Sequence, residues 1–208
     1  MGLRDRETWV FSGDSITQGV FHTHGWRGWV EIVAECLRWR EGRVLDAVIN
    51  SGCSGWTTRD VLADFDQLIG RWSPTIVSIA LGTNDASIAP GNTPISADDY
   101  RCDLTDLVRR SRDLGARVIL QTPVLISPSA REFRPDFDAF VEACRQVAHD
   151  TGTPLVDHDR HWRAAFAGID PVAWLDDPIH PNAAGHLEMA QLFLDHIGLP
   201  RWADTSLD

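Results

Sequence analysis

Five short apolar stretches punctuate this chain, at residues 8–12, 44–49, 75–81, Arg117–Gln121 and 154–156. Three of them are runs of Val, Ile and Leu with no polar alternation, the pattern of strands that are covered on both faces. Longer segments with helical spacing lie between them. Trp26, Trp29, Val33, Cys36 and Leu37 recur at three- and four-residue steps and predict a helix over about 25–39. Val61, Leu62, Phe65, Leu68 and Ile69 repeat the spacing behind Thr57/Thr58, which are N-cap candidates. Tyr100, Leu104, Leu107, Val108 and Leu114 repeat it again before Gly115, a helix stop. Further helices are expected over about 136–150 and 182–197, the second opening after Pro181. Strands alternating with helices predict an α/β fold built on a parallel sheet with helices on both sides. The 208 residues suit one domain, 1–208, with no repeat, linker or low-complexity tract.

Composition narrows the chemistry. Apolar residues at 43% and charged residues at 24% place the chain among soluble globular proteins. The balance of 19 basic and 30 acidic residues gives a net charge of −11, and every basic residue is arginine. Without lysine there is no Schiff base, no pyridoxal-phosphate chemistry, no Walker-type phosphate loop and no lysine-activated nucleophile. The acidic balance argues against nucleic acid as a partner. The first residues contain no apolar run of signal-peptide length, and nowhere do 18 apolar residues follow one another, so a cytoplasmic protein without a membrane span is expected. Cys36, Cys53, Cys102 and Cys144 form no CxxC pair and read as reduced, buried, small apolar residues. Nine tryptophans against one tyrosine call for a core role, a pocket role, or both.

In an open α/β sheet, ligands bind beyond the carboxyl ends of the strands. Three strands run into polar turns: Gly13-Asp14-Ser15-Ile16-Thr17, Asn50-Ser51-Gly52-Cys53-Ser54-Gly55 and Gly82-Thr83-Asn84-Asp85. If the first strand lies between the other two, these turns sit side by side, because neighbouring strands are about 4.8 Å apart. Ser15 then supplies a nucleophile. The backbone N–H of Ser15 or its neighbour, the Gly52 N–H and the Asn84 amide can surround a developing oxyanion. Of eight histidines, His22 and His24 read as loop or pocket-rim residues. His149, His158 and His161 read as residues on or near helices, and His196 as a cation at a helix end. His180 differs, because Asp177 precedes it by three residues and Pro178 and Pro181 stiffen the turn. A carboxylate so placed can take the Nδ1 proton and leave Nε2 for the serine. Taken alone, the segment reads equally as an Asp-Pro turn before a helix; Ser15, Gly52 and Asn84 tip the balance.

At these residues the sequence resembles the SGNH (GDSL) hydrolase family of esterases and acylhydrolases. Gly13-Asp14-Ser15-Ile16-Thr17, Gly52, Gly82-Thr83-Asn84-Asp85 and Asp177-Pro-Ile-His180-Pro-Asn182 correspond, in order, to its four sequence blocks. The resemblance implies a three-layer α/β/α, flavodoxin-like five-stranded parallel sheet of order 2-1-3-4-5. It implies Ser15 as nucleophile, His180 as base, Asp177 as its partner, and Ser15, Gly52 and Asn84 as oxyanion donors. No G-x-S-x-G elbow surrounds Ser15, unlike the α/β-hydrolases. No metal or organic cofactor is required.

The expected partner is a small-molecule ester, with pocket walls from His22, Trp26, Trp56, Trp174 and the irregular stretches 85–97 and 122–135. Trp56 also reads as packing beneath its loop, and Trp29, Trp39 and Trp72 as packing on helix faces or ends. Tryptophans beside polar loops suit sugar rings, so hydrolysis of small acyl esters, acetyl above all, and carbohydrate O-deacetylation head the expectations. Acyltransferase, thioesterase or lysophospholipase activity would use the same triad, and a catalytically silent binding module would keep only the fold.

Overall fold

The computed structural model describes residues 2–199; Met1 and residues 200–208 of the expected 1–208 domain, Trp202 among them, lie outside the described residues. Five parallel strands, β1 (Thr8–Gly13), β2 (Ala47–Asn50), β3 (Ile76–Ala80), β4 (Arg117–Gln121) and β5 (Leu155–Val156), form one sheet of order β2-β1-β3-β4-β5. The resemblance implied this order. β1 is the pivot, pairing in register with β2 (Val10 opposite Ile49) and with β3 (Val10 opposite Val77).

Side chains alternate across the sheet, as the pleat requires. Val10, Val77, Ile79, Val118 and Leu120 face one core with α3 (Thr58–Ala63), α4 (Phe65–Leu68), α5 (Ala97–Asp113) and α6 (Phe137–Thr151). Trp9, Phe11, Ile76 and Ile119 face the other, with α2 (Trp29–Glu35), α7 (His158–Phe166) and α8 (Ala183–Ile197). This second core is where much of the tryptophan goes. Phe11 meets Trp29 edge-on at 5.2 Å and Phe193 at 5.4 Å, with Trp29 and Phe193 5.6 Å apart. The one tyrosine, Tyr100, is buried in the first core and donates its hydroxyl to the Leu81 carbonyl at 2.9 Å.

Several boundaries differ from the periodicity. The second strand starts at Ala47, and Val44 and Leu45 are exposed. A polar clasp explains the shift: Asp46 is buried, accepts from Trp9 Nε1 at 2.9 Å and pairs with Arg43 at 2.7 Å, so the apolar residues before it form a turn. The helix expected over 25–39 is α2 followed by a π-helical turn, Cys36–Arg40. Trp26 is excluded because its N–H and carbonyl close a turn with Thr23, and Gly28 caps α2. The segment after Thr57 does carry its cap, with Thr57 and Asp60 forming a reciprocal capping box, but the chain leaves helical angles at Asp64 and restarts as α4. α7 was not expected. Its apolar spacing is sparse, and the signal for it is Asp157, whose side chain accepts from Arg160 N–H. Trp39 is exposed rather than packed, Trp72 is partly exposed, and Cys102 is exposed on α5 while Cys36 and Cys144 are buried. No helix among the described residues is long and apolar enough to cross a membrane.

Trp29→Ala should lower stability by about 3–5 kcal/mol through the cavity left between α2, β1 and α8, read as an earlier urea midpoint. Trp39→Ala, in the π-helical turn that follows α2, should shift it by less than about 0.5 kcal/mol.

Candidate active site

The three polar turns emerge together because β1 lies between β2 and β3. After β1 the chain passes directly into a single helical turn, α1 (Ser15–Gln18), capped by Asp14, whose Oδ1 accepts from Ile16 N–H at 2.9 Å. Ser15 is thereby the first helical residue. Asn50, ending β2, acts as a clip: its Nδ2 donates to the Thr17 carbonyl at 2.9 Å and to Glu31 Oε1 at 3.1 Å. Its Oδ1 accepts from Gly52 N–H at 3.0 Å.

This last bond changes the reading of Gly52. Its N–H, expected to face an oxyanion, is committed to Asn50. A Cβ at Gly52 would stand 2.4 Å from the Gln18 nitrogen and 2.9 Å from the Thr17 carbonyl carbon, so glycine is needed here for close backbone approach to α1. Gly55, three residues on, is exposed, adopts φ +80°, has open space where a Cβ would be, and donates its N–H to no acceptor among the described residues. From the third turn, Asn84 Nδ2 donates to the Trp56 carbonyl at 3.1 Å, which leaves its second N–H available. Asp85 Oδ1 accepts from both the N–H and the hydroxyl of Thr58 at the start of α3, at 2.9 and 2.6 Å.

The histidine arrives from the far end of the chain. Ser15 Oγ lies 2.8 Å from His180 Nε2, and His180 Nδ1 lies 2.6 Å from Asp177 Oδ2. Since the carboxylate accepts the Nδ1 proton, Nε2 is the acceptor for the serine hydroxyl. Asp177 Oδ1 also accepts from the backbone N–H of Ile179 and of His180, each at 2.8 Å. Asp176 takes another role, 2.8 Å from His24 Nε2. The loop is pinned from behind. Asn182 caps α8 through Oδ1 and donates Nδ2 to the carbonyls of Ala173 and Leu175, and His186 Nδ1 accepts from Trp29 N–H at 3.2 Å.

The four tryptophan and histidine wall candidates separate. His22 stacks on His180, with ring centroids 3.4 Å apart and planes within 4°. Trp26 is 74% exposed. Trp56 is half-buried against the first core and serves Asn84 through its carbonyl. Trp174 packs edge-on against Trp162 at 5.1 Å and Phe166 at 4.8 Å, so it anchors the His180 loop to α7. Beside Asn84 opens a cleft of about 370 Å³, lined by Asn92 and Thr93 from the stretch 85–97 expected to form a wall, and by Gly55, Thr57 and Arg59, which were not expected there. A more voluminous hollow, about 1050 Å³, lies elsewhere, along α6 and α7, among ion-paired Asp157, Asp159, Arg145 and Arg163.

Electrostatics favour a neutral base. Burial pushes His180 below the ordinary histidine pKa, the Asp177 carboxylate works against this, and the charges of His22 and Arg134 reinforce it. Arg134, from the stretch after β4, is half-buried and donates Nε to the Thr83 carbonyl at 2.8 Å. Burial acts to raise the Asp177 pKa, but the hydrogen bonds from Ile179 and His180 outweigh it and hold the carboxyl below its usual value. Burial lifts Asp14 to about 7 and Asp85 to about 6. Polar atoms of His22, Asp177 and His180 lie within 4.8 Å of one another, yet both His180 nitrogens are engaged, so the cluster does not offer a cation three free donors.

A hydroxyl, imidazole and carboxylate in a hydrogen-bonded row, at the carboxyl edge of a parallel sheet ordered 2-1-3-4-5, define the SGNH class of ester hydrolases. The sequence profile of the GDSL-like Lipase/Acylhydrolase family matches residues 11–187; the chain belongs to that family and is an esterase of the SGNH type. It is 29% identical over 214 residues to an acetylxylan esterase of Geobacillus stearothermophilus, covering 95% of this chain and 97% of that one. It is 30% identical to the isoamyl acetate-hydrolyzing esterase 1 homolog of Homo sapiens, covering 84% and 74%. The crystal structure of the Geobacillus esterase matches this fold with a TM-score of 0.79 at 29% identity, over 93% of this chain and 95% of that one. Structures of that esterase described as catalytic mutants replace a serine, an aspartate or a histidine by alanine, and match with TM-scores of 0.79, 0.82 and 0.79.

Buried Asp14 makes a pH prediction. The unfolded chain loses the Asp14 proton above about pH 4, whereas the folded chain keeps it to about 7. Asp14 therefore destabilises the fold increasingly as pH rises between those values. Asp14→Asn keeps the cap acceptor without the charge, and its gain in Tm should be larger at pH 8 than at pH 4. Equal shifts at both would contradict the burial assignment.

Proposed function

We propose that this esterase hydrolyses acetyl esters, O-acetylated sugars above all, through an acyl-Ser15 intermediate. The observation that carries the proposal is the row Ser15–His180–Asp177, closed at 2.8 and 2.6 Å. His180 takes the Ser15 proton as Oγ attacks the carbonyl carbon, and returns it to the departing alcohol oxygen. It then takes a proton from water as the water oxygen attacks the acyl carbon, and gives that proton to Ser15 Oγ as the acyl–oxygen bond breaks, releasing acetate and the free serine. Asp177 holds the tautomer and balances the imidazolium. The developing oxyanion faces the Ser15 N–H, the Gly55 N–H and the second Asn84 amide N–H. Gly55 replaces Gly52 in this set because the Gly52 N–H is already bonded to Asn50.

Two observations support the substrate class. Two relatives are named for acetyl esters, acetylxylan in one and isoamyl acetate in the other. The cleft beside Asn84 is lined by hydroxyl, amide, guanidinium and carboxylate groups, which suit the hydroxyls of a sugar better than an alkyl chain. Its about 370 Å³ fits a small alcohol part rather than a long acyl chain.

Ser15→Ala should abolish release of acetate from an aryl acetate and from acetylated xylo-oligosaccharides, and undiminished turnover would refute the assignment. Asn84→Ala should lower kcat by about 10²–10³ if its amide donates to the oxyanion. Because catalysis needs neutral His180, and burial holds its pKa below the usual histidine value, kcat/KM should rise with pH through a midpoint below about pH 6.5. A set of p-nitrophenyl esters of increasing chain length should show activity falling steeply beyond acetate.

A further inference from the structure

The loop of residues 19–28, between α1 and α2, is packed the wrong way round for a loop held by apolar contact. Val20, Phe21 and Trp26 are 63%, 73% and 74% exposed, whereas the half-buried His22 turns its imidazole toward His180 and the exposed His24 pairs with Asp176. His22 lies flat on His180 at 3.4 Å. His24 reaches Asp176, the neighbour of Asp177, from a left-handed backbone conformation (φ +51°) that residues with a Cβ rarely adopt. The loop therefore grips the segment carrying His180 at two points, through polar rings, at the expense of solvated aromatic and aliphatic surface.

We propose that His22 is a positioning residue for His180, its ring a flat backstop that fixes the plane of the catalytic imidazole and keeps water off one face. The inference rests on His180 being the base. The two hydrogen bonds of His180, to Ser15 and Asp177, both leave through the ring edge. They fix the ring within its plane and leave it free to rock about the line joining its nitrogens. A parallel ring at van der Waals distance removes that freedom, and the in-plane lone pair of Nε2 stays aimed at the serine hydroxyl. The same cover excludes water, which keeps the base neutral. The groups facing His180 are Ser15 from α1, Asp177 from its own loop, Arg134 from the stretch after β4, His186 from α8 and His22. Of these only Asp177 favours the imidazolium, while Arg134 and a protonated His22 oppose it.

The test compares His22→Ala and His22→Phe in the full chain. Two quantities are read: kcat and KM for an aryl acetate across pH, and the titration of His180 by imidazole NMR. The alanine variant should lose about tenfold in kcat with KM little changed. Its His180 titration, and the acid limb of the rate, should move up toward the ordinary histidine value. Phenylalanine, which keeps a planar face, should restore most of the rate and the low titration. An alanine variant with unchanged kcat and unchanged titration overturns the proposal. So does one raised only in KM, the signature of a substrate wall, and so does a phenylalanine variant no better than alanine. If the alanine variant does not fold, His22→Leu supplies bulk without a planar face and takes its place in the comparison. The titration is repeated in Ser15→Ala, where nothing depends on turnover, so loss of the stack effect and failure of the esterase mechanism are told apart.

Discussion

Everything at the site depends on β1 being hydrogen-bonded in parallel on both sides. In that position its carboxyl end has a neighbour to the left and to the right, each ending at nearly the same level, so three turns crowd into one small volume. The crowding is close to the steric limit. α1 begins immediately after β1, and the turn after β2 packs its Gly52 against the backbone of that helix with no room for a methyl group. Asn50 then ties the two turns together with both ends of its amide. The serine owes its place to this contact, since a single helical turn is far too short to be stable by itself.

Around that scaffold burial and nearby charges favour a neutral His180. Asp14 and Asp85 are buried close to the serine turn and hold protons more tightly than surface carboxylates do. Asp177 is the acid whose charge is secured, by three hydrogen bonds from its own loop. Arg134 sits on the opposite side of the balance. A site with no lysine thus uses one half-buried guanidinium as its nearby fixed positive charge, tethered through Nε to the carbonyl of Thr83, one residue before Asn84.

What could be read from the chain follows from how local each signal is. The strands were visible because a sheet covered on both faces demands unbroken apolar runs. Ser15 and Asn84 were visible as candidates because polar residues stand out where strands end, and Asp177 and His180 by their three-residue spacing beside Pro178 and Pro181. Strand and helix ends were less legible where tertiary polar contacts set them: the buried Asp46 clasp moved the start of β2, and the Thr23–Trp26 turn cut Trp26 off from α2. Gly52 was misread because two glycines in one turn are chemically alike until the structure shows which N–H is occupied. Trp56, which read as either pocket wall or packing, packs beneath its turn against the first core, and Trp174, read as a pocket residue, packs against α7. His22 stood next to nothing informative in sequence; only the folded loop brings it over His180.

The separation of the two halves of the row has a consequence for the life of the chain. Ser15 and His180 are 165 residues apart, and the His180 loop is held in place by α7, by the cap of α8 and by the bond from Trp29 to His186. While the chain is being synthesised, the serine turn and most of the sheet emerge long before any base does. A partly made chain thus presents Ser15 without the imidazole that the proposed mechanism requires. Under the proposed mechanism, ester hydrolysis waits for α8 to dock, so ester turnover reports that the His180 loop is in place.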